Sequence, residues 1–294
     1  MKILNELFFR GLLPAALVSG ILIACDRRLI VRHYTEISPK VTGPVRLALL
    51  TDLHNTLYGK KQHKLIDAIQ RQHPDAVLFT GDMSDGQMDM EQARLLFFLI
   101  GKQFPCYYVS GNHEFWAGNG AALKTIISSY GITVLEGENR LFQANGQTIR
   151  ICGVDDPARF RQGRYWGPEL MAGWKKQLSA CKSSLDDVHY SVLLSHRPEL
   201  TAYYTHLPSD PAKGFDLVLT GHAHGGQVRI PGFANGLFAP NQGVLPPYAG
   251  GRYKLGDTVM IVSRGLCKNV LPRIFNRPEL VIINIKPEHP APAL

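Results

Sequence analysis

Three polar residues recur at a fixed interval, and this repeat constrains the fold more than any other feature of the chain. Asp52, Asp82 and Asn112 lie thirty residues apart, which is the length of one strand–helix unit. Each follows a short apolar segment that we predict to be a buried strand. Because the carboxyl ends of parallel strands meet at one edge of a sheet, we expect the three side chains at that edge, where open α/β sheets bind their ligands.

The chain alternates strands and helices from residue 45 to about residue 286, which predicts an α/β domain. The predicted strands are residues 45–51, 76–80, 106–110, 147–152, 190–195, 215–220, 258–263 and 280–285. The predicted helices are residues 60–72, 90–102 and 169–182. The segment 231–251 is rich in Gly and Pro and is expected to be a loop.

Composition excludes several classes of protein. Apolar residues make up 45% and charged residues 19% of 294 residues, which indicates a globular chain and excludes collagen, coiled coil and disorder. A net charge of +8 points to an anionic partner, whether phosphate groups, an anionic membrane surface or nucleic acid. The five cysteines form no CxxC pair and so predict neither a disulfide scaffold nor a cysteine zinc site.

The first 34 residues are predicted to be a membrane anchor or signal segment, ahead of a catalytic domain at residues 35–294. Residues 11–25 carry no charge, and Arg27 and Arg28 follow them closely. We therefore expect association with a bacterial cytoplasmic membrane.

Three interpretations of this segment remain open. It is an uncleaved anchor, a signal that is removed, or a core helix of the domain. Residues 22–25 resemble a bacterial lipobox, which would make Cys25 a lipidated N-terminus. The side of the membrane is also open, because the flanking arginines favour a cytosolic domain whereas a lipobox would place it outside.

Five predicted strand ends carry the residue types that bind divalent metals. The candidates are Asp52, His54, Asp82, Asn112, His196, His222 and His224. Carboxylate, imidazole and amide ligands suit Mn, Fe or Zn. Seven candidates exceed the needs of one ion, and Asp82 is the natural bridge between two. An extended backbone would direct both polar side chains of Asp52 and His54 to one side, and the same holds for His222 and His224.

The order DxH, GDxxD, GNHE, H and GHxH resembles the calcineurin-like metallophosphoesterase superfamily over residues 45 to 286, and its bacterial membrane-associated branch in particular. The resemblance implies a four-layer αββα sandwich, with two mixed sheets flanked by helices, and a centre of two divalent metal ions. It assigns the first metal to Asp52, His54, Asp82 and His224. It assigns the second metal to Asp82, Asn112, His196 and His222.

The resemblance also implies roles for residues beside the ligands. His113 would protonate the leaving oxygen while a metal-bridged hydroxide attacks phosphorus. Asp85 would orient His113. Gly81, Gly111 and Gly221 would let the backbone turn sharply beside the ions.

Departures from the superfamily pattern narrow the substrate. Its protein Ser/Thr phosphatases carry Arg directly after the second Asp, whereas this chain has Gly86, so a protein substrate is disfavoured. The GHAHGGQ, GVDDP and RPEL elements resemble the bacterial branch and imply a phosphodiester or pyrophosphate substrate, with a lipid-linked or cell-envelope compound as one candidate. A non-catalytic metal-binding scaffold and a nuclease are the alternatives, although no recognised nucleic-acid-binding module is present.

Two basic stretches are candidate substrate-binding segments. The first is an Arg- and aromatic-rich loop with Arg159, Arg161 and Arg164, for which a solvated loop is the alternative. The second carries Arg264, Lys268, Arg273 and Arg277, which could contact substrate phosphate or membrane headgroups. The sequence predicts no oligomeric state.

Overall fold

The computed structural model describes residues 13–85, 90–116, 120–161, 168–205, 214–268 and 273–288. Its helices are α1 (Leu13–Ala24), α2 (His63–Gln70), α3 (Glu91–Gly101), α4 (His113–Trp116), α5 (Gly120–Ser129), α6 (Pro168–Ser183) and α7 (Thr201–Tyr204). Its first seven strands are β1 (Ile30–Ser38), β2 (Val45–Leu50), β3 (Ala76–Thr80), β4 (Cys106–Val109), β5 (Thr133–Val134), β6 (Glu138–Ala144) and β7 (Gln147–Gly153). The others are β8 (Tyr190–Leu194), β9 (Leu217–Thr220), β10 (Phe238–Ala239), β11 (Gly243–Val244), β12 (Gly251–Leu255), β13 (Thr258–Val262) and β14 (Glu279–Pro287).

Two six-stranded sheets form the body of the protein. The first has the order β1-β14-β2-β3-β4-β5, and only the β14–β2 pair is antiparallel. The second has the order β12-β13-β9-β8-β7-β6, with antiparallel pairs at both ends and parallel pairs between them. The predicted α/β fold with two mixed sheets is therefore confirmed.

Apolar side chains fill the space between the sheets and beneath the helices on both sides. Leu49 and Leu78 of the first sheet belong to the same buried cluster as Leu194 of the second. Helices α2, α3 and α5 cover the outer face of the first sheet, while α6 packs Trp174 on the outer face of the second. Strands buried on both faces need continuous apolar runs, as β2 and β3 have.

The strands that the sequence did not predict lie mostly at sheet edges. β6 and β12 each pair with one neighbour and are half exposed, so they carry mixed polar and apolar residues instead of an apolar run. β1 pairs in parallel with β14, so the first sheet begins ahead of residue 35, where the predicted domain boundary lies. The Gly- and Pro-rich segment 231–251 contains the short β10–β11 hairpin.

Helix α1 lies at the surface. Its side chains of Val18, Ile21, Leu22 and Ile23 are 56–68% exposed, so the interpretation as a core helix is wrong. Among the residues described, no helix combines the length and the apolar character that crossing a membrane requires. Residues 1–12 of the predicted anchor lie outside the described part of the chain.

A truncation between the sheets tests this layered core. We expect Leu194→Ala to lower the free energy of unfolding by about 2–5 kcal/mol, because the fully buried side chain leaves a cavity that its neighbours cannot fill. Leu141→Ala on β6, where the side chain is 52% exposed, is the control and should change it by about 0.5 kcal/mol or less. Equal losses in denaturant titrations of the two variants would contradict the assignment of the inner core.

Candidate metal centre

The seven predicted metal ligands lie together at the carboxyl edges of both sheets. Asp52, Asp82 and Asn112 follow β2, β3 and β4 of the first sheet, as the thirty-residue spacing predicts. The second sheet contributes three histidines, one after β8 and two after β9. Six of the seven side chains are buried, and that of His224 is half-buried. The sandwich thus brings the ends of five strands to one place.

The candidate ligand atoms form two groups that share Asp82. The groups are Asp52, His54, Asp82 and His224, and Asp82, His196 and His222, with all ligand atoms of a group within 4.8 Å of one another. Asp82 Oδ2 lies 3.8 Å from His54 Nε2 and 3.1 Å from His196 Nε2. The chain therefore carries a cluster of candidate ligands for a binuclear metal site.

The hydrogen bonds of two histidines direct ring nitrogens into this cluster. His196 Nδ1 donates to the carbonyl oxygen of Thr80 at 2.7 Å, so its Nε2 faces inward. His222 Nε2 lies 2.9 Å from the amide oxygen of Asn241, so its Nδ1 faces His196 Nε2 at 3.1 Å. When both rings are neutral, these two nitrogens are both acceptors, and they repel each other unless a proton or a metal ion lies between or beside them.

Local electrostatics favour positive charge at the centre. Burial would lower the pKa of His196, but the carboxylate of Asp82 outweighs burial and raises it to about 10. Burial likewise would raise the pKa of Asp82, but the neighbouring His196 and His54 hold it well below its ordinary value. The pKa of Asp52 is raised, chiefly by burial. Either a proton or a metal ion at this centre would offset the negative charge of the buried carboxylates.

The backbone around the ligands is not extended, contrary to the sequence-based rationale. Asp52, His54, Asp82, His222 and His224 all have positive φ angles, between 43° and 65°. Non-glycine residues adopt this left-handed conformation at a cost of about 1–3 kcal/mol each, and they do so mainly at functional sites. Tight turns at the strand ends, rather than the alternation of a strand, direct each pair of ligands inward.

Close backbone approach explains two of the glycines in the motifs. A Cβ atom at Gly111 would overlap Asp82 Oδ1, and one at Gly221 would overlap Asp52 Oδ2. Glycine is therefore required at both positions for the carboxylates to occupy their places.

Glu114 holds the turn that carries Asp82, a role that the sequence analysis missed. Its two carboxylate oxygens accept hydrogen bonds from the backbone N–H groups of Gly111, Asp82 and Met83 at 2.7–2.9 Å. The side chain is 1% exposed, and burial together with Asp82 raises its pKa to about 7. The sequence did contain a signal for this role, since Glu114 is the last residue of the GNHE motif.

Asn241 was also missed, and it holds His222. Its amide oxygen accepts from Arg197 Nη1 at 3.0 Å as well as from His222 Nε2. Arg197 is itself held by Asp156, with Arg197 Nε 2.6 Å from a carboxylate oxygen. Asp156 also caps the following turn by accepting a hydrogen bond from the N–H of Ala158. No sequence motif marks Asn241, because it lies in the Gly- and Pro-rich segment.

His113 and Asp85 lie beside the cluster in hydrogen-bonding contact. His113 Nδ1 is 2.9 Å from Asp85 Oδ1, and His113 Nε2 is 3.9 Å from Asp82 Oδ2. Burial lowers the pKa of His113, while hydrogen bonding to His54 lowers that of Asp85. The ring of Trp116 stacks on His113 with centroids 4.1 Å apart. Asp85 thus holds one ring nitrogen, and the other faces Asp82.

Of the four candidate substrate-binding arginines, the three that the structure describes line two different cavities. Arg159 and Arg161 line a cavity of about 580 Å³ with Trp116, next to His113. Arg159 is also paired with Glu136 and Asp155. Arg264 lines a different cavity, and Arg164 lies outside the described residues. Arg273, in the second basic stretch, is buried and bonds the carbonyl oxygen of Arg264, so it is not available to a membrane or a substrate.

The residues present fit two divalent cations. Asn112 Oδ1 is buried and has no hydrogen-bond partner, which is costly unless a cation or another donor satisfies it. Asn112 lies next to His113, and the backbone N–H of His113 donates to Asp82 Oδ1 at 2.9 Å. An orphaned acceptor, opposed ring nitrogens and a shared carboxylate are the features that such a pair of ions would satisfy.

Comparison with known proteins agrees with this geometry. The family model described as calcineurin-like phosphoesterase matches residues 45–226, more than half of the chain. The chain belongs to the calcineurin-like phosphoesterase family. As a family member it is a metallophosphoesterase, a hydrolase that acts on phosphoric esters. The matched range contains all seven candidate ligands.

Relatives within the calcineurin-like phosphoesterases are distant. The chain is 30% identical over 227 residues to the uncharacterized metallophosphoesterase YkuE of Bacillus subtilis, covering 76% of this chain and 71% of that one. It is 28% identical to the putative metallophosphoesterase F40B5.2 of Caenorhabditis elegans, covering 83% of this chain but only 49% of that protein. A solved 5′-nucleotidase precursor from Thermus thermophilus is similar with a TM-score of 0.48 and 17% identity, over 76% of this chain and 49% of that one. Structural similarity at that level says nothing about the substrate.

Removal of Asn241 tests its effect on the metal centre. We expect Asn241→Ala to weaken binding of the more weakly held divalent ion by about 10–100-fold, because His222 loses the partner that orients its ring. Metal content after dialysis and calorimetric titration with Mn²⁺ measure this directly. Asn139→Ala is the matched control, since that amide oxygen also accepts from an arginine, Arg150, but contacts no candidate ligand. Unchanged affinity in Asn241→Ala would contradict the role.

Proposed function

We propose that the protein hydrolyses a phosphodiester or pyrophosphate bond at a binuclear centre of Mn, Fe or Zn ions. The observation that carries this proposal is the sharing of Asp82 between two groups of ligand atoms. The buried amide oxygen of Asn112, which has no hydrogen-bond partner, adds to it. A carboxylate shared in this way suits two ions close enough to act on one phosphate group.

When bound, the two cations would activate water and offset the negative charge on the phosphate. The side chains of this protein supply the rest of the chemistry. Asp52, His54, Asp82 and His224 would hold one ion, and Asp82, Asn112, His196 and His222 the other. In its protonated form, His113 is placed to donate a proton to the leaving oxygen from Nε2, because Asp85 occupies Nδ1.

The proposed substrate is a phosphodiester or a pyrophosphate, with a lipid-linked or cell-envelope compound as the candidate. Gly86 in place of the arginine that follows the second Asp in related protein phosphatases supports a substrate other than a phosphoprotein. We further propose that the protein associates with a bacterial membrane through its N-terminal segment. The exposed apolar side chains of α1, followed by Arg27 and Arg28, support this location.

Ligand substitutions test the enzymatic proposal. We expect Asp82→Asn and His224→Ala to lower kcat/KM for bis-p-nitrophenyl phosphate with added Mn²⁺ by on the order of 10²–10³-fold, because each removes a metal ligand. Asp257→Asn, in the exposed β12–β13 turn, should retain full activity. No turnover by the wild-type protein with Mn²⁺, Fe²⁺ or Zn²⁺ would favour the non-catalytic scaffold. Salt-sensitive cleavage of DNA or RNA in preference to small diesters would favour a nuclease.

The dependence of the hydrolysis rate on the leaving group tests whether His113 acts as the general acid. A general acid matters most when the leaving oxygen is basic, so we expect His113→Ala to slow hydrolysis of an alkyl phosphodiester by about 10²–10⁴-fold. The p-nitrophenyl ester, whose leaving group needs little protonation, should be affected far less. Asp85→Asn, assayed at saturating metal because Asp85 also contacts the candidate ligand His54, should show the same dependence on the leaving group with smaller losses. Equal losses of His113→Ala on both esters would rule out the acid role.

A further inference from the structure

Large apolar side chains are exposed on segments of the chain that backbone hydrogen bonds bring next to one another. We call these side chains the apolar rim, which consists of Ile230, Phe233, Phe238, Val244, Leu245 and Phe275. Their exposed fractions range from 41% for Phe275 to 85% for Phe233. An exposed apolar patch of this kind marks a site of contact with another molecule or with a membrane.

Hydrogen bonds join the segments of the rim to one another. The N–H of Phe275 donates to the carbonyl oxygen of Ala24 at 2.7 Å, which joins the rim to the exposed helix α1. Phe275, Ile230 and Phe233 line one cavity of about 460 Å³. In the β10–β11 hairpin Phe238 pairs with Val244. The segments that carry the rim and the C-terminal end of α1 are therefore neighbours in the fold.

Hydrogen bonds connect the segments that carry the rim to the loop that carries His222 and His224. Asn276, next to Phe275, donates from Nδ2 to the carbonyl oxygen of His224 at 2.7 Å. Asn241, between β10 and β11, accepts from His222 Nε2. A surface that rests against the rim would thus lie close to the candidate ligands His222 and His224.

A basic groove adjoins the C-terminal end of α1 as well. Arg27 and Arg28 follow α1, and Arg27 Nη1 donates to the carbonyl oxygen of Lys268 at 3.0 Å. The groove is a cavity of about 620 Å³ whose cationic residues are Arg27, Arg28, Lys64, Arg71 and Lys268. Asp67 is the one carboxylate that lines it among the described residues. Apolar side chains next to an excess of cations match the two layers of an anionic bilayer, its acyl region and its headgroups.

We propose that the apolar rim and the basic groove dock together on the surface of an anionic lipid bilayer. The rim enters the boundary between headgroups and acyl chains, and the groove contacts the lipid phosphates. This contact is separate from anchoring by the N-terminal segment, and it does not depend on the proposed catalytic activity. It orients the domain so that the metal centre lies near the membrane surface.

A polarity-sensitive fluorophore on the rim tests the contact. The full-length protein carries Cys25→Ser to remove the exposed cysteine, since the other four cysteines are buried, and either Val244→Cys or Phe233→Cys is labelled with NBD. With phosphatidylcholine/phosphatidylglycerol vesicles we expect the emission to shift to shorter wavelength and to be quenched by spin-labelled lipids. Val188→Cys is the matched control, because Val188 is 71% and Val244 76% exposed, and its probe should report water throughout.

Charge substitutions test the groove independently. Removing two of its cations with Lys64→Gln/Arg71→Gln should weaken binding to the anionic vesicles by about tenfold or more. Lys175→Gln/Lys176→Gln makes the same change of charge on α6, in the opposite helix layer, and should leave binding unchanged. Vesicles of phosphatidylcholine alone should bind all variants weakly.

Two outcomes would overturn the docking proposal, whatever the catalytic assays show. In the first, vesicle-bound protein keeps the probe at position 244 in water, so that only the N-terminal segment contacts lipid. In the second, the emission shifts on raising the protein concentration without vesicles, which would identify a second copy of the chain as the partner of the rim.

Discussion

The convergence of acceptor atoms on the buried carboxylate of Asp82 is the constraint on which the rest of the structure depends. Ring nitrogens of His54 and His196 approach one of its oxygens from the two sheets, while the N–H of His113 binds the other. The carboxylate and the acceptor nitrogens of neutral rings repel one another in such a buried site unless a proton or a metal ion lies between them. The fold must therefore hold the site together against this repulsion, and metal binding would relieve it.

The two sheets and the helices that cover them hold the ligand turns in place against this repulsion. A large cluster of apolar side chains fills the space between the two sheets, and the strands end at the same edge, so each ligand turn begins from a fixed point. The turns themselves adopt left-handed backbone conformations. Glu114 offsets part of their cost by accepting three backbone N–H groups around Asp82. The Asp156–Arg197–Asn241 chain does the same for His222 from the second sheet.

The metal centre lies next to segments that are exposed at the surface of the molecule. The ligand loop of His222 and His224 is hydrogen-bonded to the segments that expose the apolar rim. A highly polar centre is thus bordered by apolar side chains on one side and by basic residues beyond α1. For a phosphoesterase that acts on a lipid-linked compound, this arrangement would bring the scissile phosphate and the acyl chains to surfaces that suit each of them.

The sequence by itself predicted eight strands of the two sheets, the helices α2, α3 and α6, and the candidate ligands. It could do so because apolar runs and the thirty-residue spacing of Asp52, Asp82 and Asn112 reflect local structure that repeats. It did not reveal β6 or β12, whose edge positions need no apolar run. It also suggested extended ligand pairs where the backbone turns left-handed. Only the tertiary structure decided which residues support the ligands. Asn241 meets His222 across nineteen residues of Gly- and Pro-rich chain, and such contacts follow from packing rather than from any local pattern.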